Sequence, residues 1–322
     1  MNFATDFISS GENVMWNFWE KVFTPKPFDE GYLQVSDKHK IFYHQYGNPH
    51  GKVALCLHGG PGGNSHASSA ANFNLKKYRV ILFDQRGCGK SVPAGLTEEN
   101  SISDLCEDIN RLLNFLNVKG KIVLYGTSWG STLALYFAEH YPEKIEHLVL
   151  SKIFLANADN KLWEEKIAGF VYPDVWEKVV TSVPEGEDIP AYYYKLVMSN
   201  NRQKQEKAVK FYARYEYNLS YLVLPKMSDE VSDDEIASAK IYIHYAANKF
   251  FLSDNELLNN IHKLKKIPVH IIHNRADLLC PLMGAYQLNR ALPLSTLDIV
   301  PAYGHVSNKM RLNIKKYLKY LN

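Results

Sequence analysis

Gly126-Thr127-Ser128-Trp129-Gly130 lies between Lys121-Ile122-Val123-Leu124-Tyr125, a short apolar run of strand character, and Ser131 to His140, a run of helix character. A G-x-S-x-G pentapeptide in that setting is a nucleophile elbow. Glycines at both ends let a strand turn sharply into a helix, so the serine is held in a strained conformation with its hydroxyl above the sheet edge. A serine so placed is poised to attack a carbonyl. The same five letters in an ordinary loop would carry no such meaning; the strand before and the helix after supply it.

Working outward from the elbow, short β-rich runs alternate with helical ones. Tyr32-Leu33-Gln34-Val35 and Lys40-Ile41-Phe42-Tyr43-His44 read as strands, followed by Val53-Ala54-Leu55-Cys56-Leu57, which enters a glycine-rich loop. Tyr78 to Phe83 is a further apolar run ending at Asp84, a helix is expected from about Ser101 to Leu116, and His147-Leu148-Val149-Leu150 follows the elbow helix. Sheet-forming runs then stop until Pro268 to His273 and Ser295 to Val300. This alternation predicts an α/β fold: a mostly parallel sheet with helices on both faces. The intervening segment, rich in Tyr, Lys and Glu, reads as helices inserted into the sheet domain. The expected organisation is an N-terminal amphipathic extension over 1–24, a core domain over 25–153 and 253–322, and a helical cap over 154–252.

Composition suits a soluble enzyme. The chain has 322 residues, 46% hydrophobic and 22% charged, and a net charge of +3 gives no reason to expect nucleic acid. Cys56, Cys88, Cys106 and Cys280 are scattered, with no C-x-x-C pair to suggest zinc or a dithiol, and read as free thiols of a reducing compartment. No apolar run approaches the roughly 18 residues of a membrane span, and the N-terminus lacks the pattern of a secretory signal, so a cytoplasmic protein is expected. Phe3, Phe7, Val14, Phe18 and Val22 recur at about one helical turn. That candidate amphipathic helix is expected to pack on its own domain or on a second subunit, which leaves a homo-oligomer open. The acidic Asp6, Glu12 and Glu20 argue against a membrane-surface anchor.

A nucleophilic serine needs a base to take its proton, and the base needs an acid to fix its tautomer. In this kind of sheet the chain order is nucleophile, acid, histidine. Asp277 follows the penultimate strand run and His305 follows the last, and both fall where working groups of an open α/β sheet gather, beyond the carboxyl ends of the strands. His270 and His273 fall within or at the end of a strand and are expected to be packed or satisfied polar groups. The third requirement, an oxyanion hole, is expected from the backbone N–H groups of Gly60, in His58-Gly59-Gly60-Pro61-Gly62-Gly63, and of Trp129. The glycine-rich loop lacks the G-x-G-x-x-G or G-K-[ST] pattern of a phosphate cradle. No metal and no cofactor are expected.

With these pieces assembled, the chain resembles the prolyl aminopeptidase (proline iminopeptidase) family of α/β hydrolases over nearly everything after about Pro25. The resemblance is carried by the glycine loop at 58–63, by Asp84-Gln85-Arg86-Gly87-Cys88-Gly89-Lys90-Ser91, by Gly126 to Leu135, and by Asp277-Leu278-Leu279-Cys280-Pro281. It implies an α/β-hydrolase fold that releases an N-terminal residue, usually proline, from a small peptide or aminoacyl substrate through an acyl-enzyme, with Ser128, Asp277 and His305 as the catalytic set.

The match loosens at the substrate. Members of the family hold the free amine with cap carboxylates, one in a Trp-Glu pair and one in a segment like Ile-Glu-Asn-His-Tyr-Phe. Tyr215-Glu216 resembles the first; in the second, Ile241-Tyr242-Ile243-His244-Tyr245-Ala246, the acid has become Tyr242 and the last aromatic Ala246. The usual Arg-Gly before Ile153-Phe154 is Ser151-Lys152. Glu216 is therefore the expected anchor for the ammonium, with Phe154, Tyr245 and Tyr242 around the substrate, and Glu164 or Glu165 as a candidate replacement charge weighed against a solvated helix face. Two other readings stand beside this one. Tyr242 favours an esterase or amidase acting on substrates without a free amine, and a non-catalytic interaction scaffold is the more distant rival.

Overall fold

The computed structural model describes residues 25–321 except 223 and 225, so the amphipathic extension expected over 1–24 lies outside the described residues. Eight strands, β1 (Asp29–Gln34), β2 (Lys40–Gly47), β3 (Lys52–Leu57), β4 (Tyr78–Phe83), β5 (Ile122–Thr127), β6 (Ile145–Ser151), β7 (Val269–Ala276) and β8 (Ser295–Tyr303), form one sheet. Their order is β1-β2-β4-β3-β5-β6-β7-β8. β2 pairs antiparallel with both β1 and β4, and all the remaining pairs are parallel.

Parallel strands joined through helices are covered on both faces, which is why they read as unbroken apolar runs. Successive side chains of β3 alternate accordingly: Leu55 and Leu57 join Ile81, Phe83 and Leu124 in one core. Ala54 and Cys56 join Val80, Leu82 and Val123 in the other, against Met310, Ile314 and Leu318 of the helix Asn308–Tyr320. The helix Ile102–Phe115 starts where its sequence says it should, because Ser101 accepts from the Asp104 N–H while the Asp104 carboxylate reaches back to the Ser101 N–H. All four cysteines are buried and free.

Between β6 and β7 every element among the described residues is helical. These helices hold an apolar cluster of their own, in which Tyr193, Tyr212 and Tyr215 pack with Tyr242 and Ile243 of the long helix Asp233–Ala247. That helix is also opened by a capping box, Ser232 with Glu235. Two of the shorter segments, Trp163–Ile167 and Val209–Ala213, wind as π-helical turns, a geometry that often marks functional sites. No helix among the described residues is long and apolar enough to cross a membrane.

Candidate active site

Ser128 sits at the tip of the turn from β5 into the helix Trp129–His140 with φ 56° and ψ −130°, a region that side chains other than glycine rarely adopt. Steric necessity explains the flanking glycines. A Cβ at Gly126 would strike the Gly130 carbonyl oxygen, and one at Gly130 would strike that of Leu57. The strained turn is pinned from both sides: Ser128 N–H donates to the Ser151 carbonyl at 3.0 Å, and the Ser128 carbonyl accepts from Ser131 N–H at 2.7 Å and Ser131 Oγ at 2.6 Å.

The loops after β7 and β8 bring two more groups to this tip. His305 Nε2 lies 2.9 Å from Ser128 Oγ, and His305 Nδ1 lies 2.7 Å from Asp277 Oδ2. With Nδ1–H donating to the carboxylate, Nε2 is left to accept the serine hydroxyl. Asp277 Oδ1 accepts two further bonds, from Leu279 N–H at 3.0 Å and Cys280 N–H at 2.9 Å. Burial alone would push this carboxyl up; the His305 ring and these donors outweigh burial and hold it below the ordinary aspartate value. Asp277 is therefore ionised where an imidazolium would form.

Groups beyond the three fix their orientation. Gly304, at φ 73°, lets the chain reverse before His305, and His305 N–H donates to the Ser220 carbonyl at 3.0 Å. Asn274 Nδ2 holds the Gly304 carbonyl at 2.7 Å from below. The rival histidines are both engaged elsewhere. His273 accepts from Ile153 N–H at 3.0 Å and donates to the Cys280 carbonyl at 2.8 Å. His270 lies flat on Tyr317 at 3.5 Å and bonds Thr296 and Asp298.

On the opposite side of Ser128 runs the loop after β3. Gly59 passes so close that a Cβ there would lie 3.1 Å from that of Ser128. Gly60 takes φ 128°, open only to glycine. Neither Gly60 N–H nor Trp129 N–H donates to a described residue, and Trp129, as the first helical residue, has no intrahelical acceptor. Gln85 ties the two together: its Nε2 donates to the His58 carbonyl at 3.0 Å and its Oε1 accepts from Trp129 Nε1 at 2.8 Å. Nothing in the spacing of the sequence singled out Gln85 for that brace.

The helices between β6 and β7 close the site from above. A cavity of about 20 Å³ over Ser128 is lined by Gly60, Phe154, Glu164, Glu216, Tyr242 and Cys280, among others. The Glu216 carboxylate makes no hydrogen bond or ion pair with a described residue, and burial, with the Glu164 charge beside it, pushes it up to about 8. Glu164 is pushed up to about 7, chiefly by burial. It is held by two tyrosines: Tyr242 Oη donates to Glu164 Oε1 at 2.8 Å, and Tyr215 Oη donates to the Glu164 carbonyl at 2.8 Å. Glu165 points elsewhere, pairing with Lys161 at 3.5 Å. Tyr245, expected among the substrate contacts, does not line this cavity. Its ring is fully buried against Trp129, 4.8 Å between centroids, and its hydroxyl donates to Asn100 at 3.1 Å, so it supports the site from within the core.

Comparisons with known proteins agree with this fold. A family model described as alpha/beta hydrolase fold matches residues 53–309. The probable proline iminopeptidase of Leptolyngbya boryana is 39% identical over 286 residues, covering 87% of this chain and 89% of that protein. A proline iminopeptidase of Arabidopsis thaliana is 39% identical over 293 residues, covering 88% of this chain and 77% of the other. Among solved structures, a proline iminopeptidase-related protein from Thermus thermophilus superimposes with a TM-score of 0.57 at 18% identity, over 90% of this chain and 96% of that one, a likeness of fold.

Proposed function

The chain belongs to the proline iminopeptidase family of α/β hydrolases, and from that premise we propose that Ser128, His305 and Asp277 are the groups with which it releases the N-terminal residue of a peptide. It is a serine hydrolase of the prolyl aminopeptidase type. The observation that carries the assignment of residues is the row Ser128 Oγ, His305 Nε2 at 2.9 Å, His305 Nδ1, Asp277 Oδ2 at 2.7 Å. His305 takes the serine proton as Oγ attacks the scissile carbonyl. The Gly60 and Trp129 N–H groups receive the oxyanion, each such donor being worth roughly 10² to 10³ in turnover. His305 then protonates the leaving amine, and water repeats the cycle on the acyl-enzyme.

Selectivity for a free amine rests on Glu216. Half-buried at the edge of the cavity, the Glu216 carboxylate has no partner among the described residues, and a substrate ammonium is the partner it lacks. Glu164 adds a second carboxylate to the same cavity. The acid absent at position 242 is thereby supplied from another helix, which removes the feature that favoured an esterase. We treat 154–252 as a cap over the sheet domain, and a small peptide as the substrate. The test is a comparison of a prolyl arylamide, its N-blocked form and a short-chain aryl ester, in the native chain and in Glu216→Gln. The expected result is preference for the free amine, reduced roughly 10- to 100-fold by Glu216→Gln, as fits one charge-assisted hydrogen bond. Equal turnover of free and blocked substrates would overturn the reading.

A further inference from the structure

At about 20 Å³ the cavity over Ser128 has room for little more than one water. Whatever side chain the first residue of the substrate carries must extend into a neighbouring space. The cavity borders two. Across Gly60, Glu216 and Tyr242 it meets a wide groove of about 1170 Å³ open to solvent. Across Phe154, Asn160, Glu164 and Phe250 it meets a separate chamber of about 360 Å³, within the range of sites that enclose small organic ligands. Pro190, Ala246 and Leu252 also line that chamber, as do the charged Lys161, Glu165, Lys249 and Asp254.

Phe250 forms the partition. It lies in a run of three consecutive residues with positive φ, Lys249 at 51°, Phe250 at 55° and Phe251 at 57°, a conformation that costs energy at each position. The run sets the Phe250 ring edge-on to Phe154, 4.9 Å between centroids, and 5.8 Å from Trp129. Ala246, whose side chain is a single methyl, also lines the chamber.

We propose that this chamber receives the side chain of the residue being released, and that it takes apolar side chains longer than the proline ring: leucine, methionine and phenylalanine. The inference rests on the function proposed above. With the carbonyl carbon at Ser128 Oγ and the ammonium between Glu216 and Glu164, the first Cα is fixed between them. The carbonyl oxygen turns to the Gly60 and Trp129 N–H groups, and the leaving amide lies on the His305 side, where that ring protonates it. Glu164 borders the chamber, so the remaining substituent of that Cα faces it. A proline ring leaves most of the chamber empty, whereas a longer apolar side chain gains buried contact with Phe154, Phe250 and Leu252.

The test is a panel of prolyl, leucyl, methionyl and phenylalanyl arylamides with the native chain, Ala246→Phe and Ala246→Leu. The expected kcat/KM for leucyl, methionyl and phenylalanyl substrates is at least that for prolyl. Filling the chamber should lower those three roughly tenfold or more and leave prolyl turnover within about twofold, well inside the roughly tenfold that one methylene commands; that retained turnover also certifies that the variants fold. If the native chain cleaves prolyl arylamide and the larger ones at less than about a tenth of that rate, the chamber assignment is overturned and the aminopeptidase reading stands. Unchanged turnover of large substrates in both variants also overturns the chamber. Failure to cleave any free-amine arylamide overturns both.

Discussion

Tyr242 Oη donates to Glu164 Oε1 at 2.8 Å, joining a residue of the long helix Asp233–Ala247 to a carboxylate 78 positions earlier in the chain. The bond favours the ionised carboxylate, against burial, which favours the protonated one. In Tyr242→Phe that support is gone, so Glu164 holds its proton to higher pH and competes less well for an ammonium. The expected outcome is a KM for free-amine arylamides raised roughly five- to tenfold at pH 7, with kcat nearly unchanged. N-blocked esters should show no change, and the KM difference should shrink as the assay is moved above pH 8, where both carboxylates are ionised.

Ser128→Ala removes the attacking oxygen and nothing that holds the turn, because the Ser128 N–H and carbonyl make the bonds that pin it. Turnover should fall by roughly 10⁴-fold or more, with the melting temperature within about a degree of native. Ser128→Gly should be equally inactive and melt higher, since glycine adopts φ 56° without strain. A glycine variant that melts lower than the alanine variant would mean that the turn is not strained.

Glu139, on the elbow helix, is buried with Oε1 lacking a hydrogen-bond partner among the described residues, and burial pushes its carboxyl up to about 9. An acid whose pKa is higher folded than unfolded makes the folded state bind the extra proton between the two values, so stability declines as pH rises across that interval. The interval here runs from about 4.5 to about 9. Glu139→Gln carries no proton to lose; its melting temperature should fall less than that of the native chain between pH 5 and pH 9. Parallel profiles measured by calorimetry would refute the assignment.

Arg86 and Asp108 form a buried fork, Nε to Oδ2 at 2.6 Å and Nη2 to Oδ1 at 2.7 Å, and Arg86 also donates to the Glu99 carbonyl. The pair ties the segment after β4, which carries the Gln85 brace, to the helix Ile102–Phe115. Asp108→Ala leaves the buried guanidinium only the Glu99 carbonyl and Asp104 at 3.7 Å, and should cost about 3–5 kcal/mol of stability by denaturant unfolding. A loss below about 1 kcal/mol, the level of an exposed pair, would show that water reaches the site.

The fold and the central row of the site were legible in the sequence because their signals are local. Gly126 is demanded by the Gly130 carbonyl oxygen just along the chain, Ser101 and Asp104 close their own helix start, and the apolar runs of β3 to β5 state that both sheet faces are covered. Placing Asp277 and His305 just past strand ends followed from topology, since parallel strands deliver their carboxyl ends to one edge.

What only the tertiary structure decided is which side chains of the helices between β6 and β7 face Ser128. In sequence Glu164 and Glu165 stand side by side as candidate charges, each weighed against a solvated helix face; the π-helical turn Trp163–Ile167 and two tyrosines from distant helices put Glu164 in the cavity. Tyr242 and Tyr245, less than one turn apart on a single helix, part company: one reaches the cavity over Ser128 and the other the core beside Trp129. A helix repeats its pattern by angle, whereas the partner waiting at each angle is set by packing against elements tens of residues away, and that long-range packing leaves no mark in the local sequence.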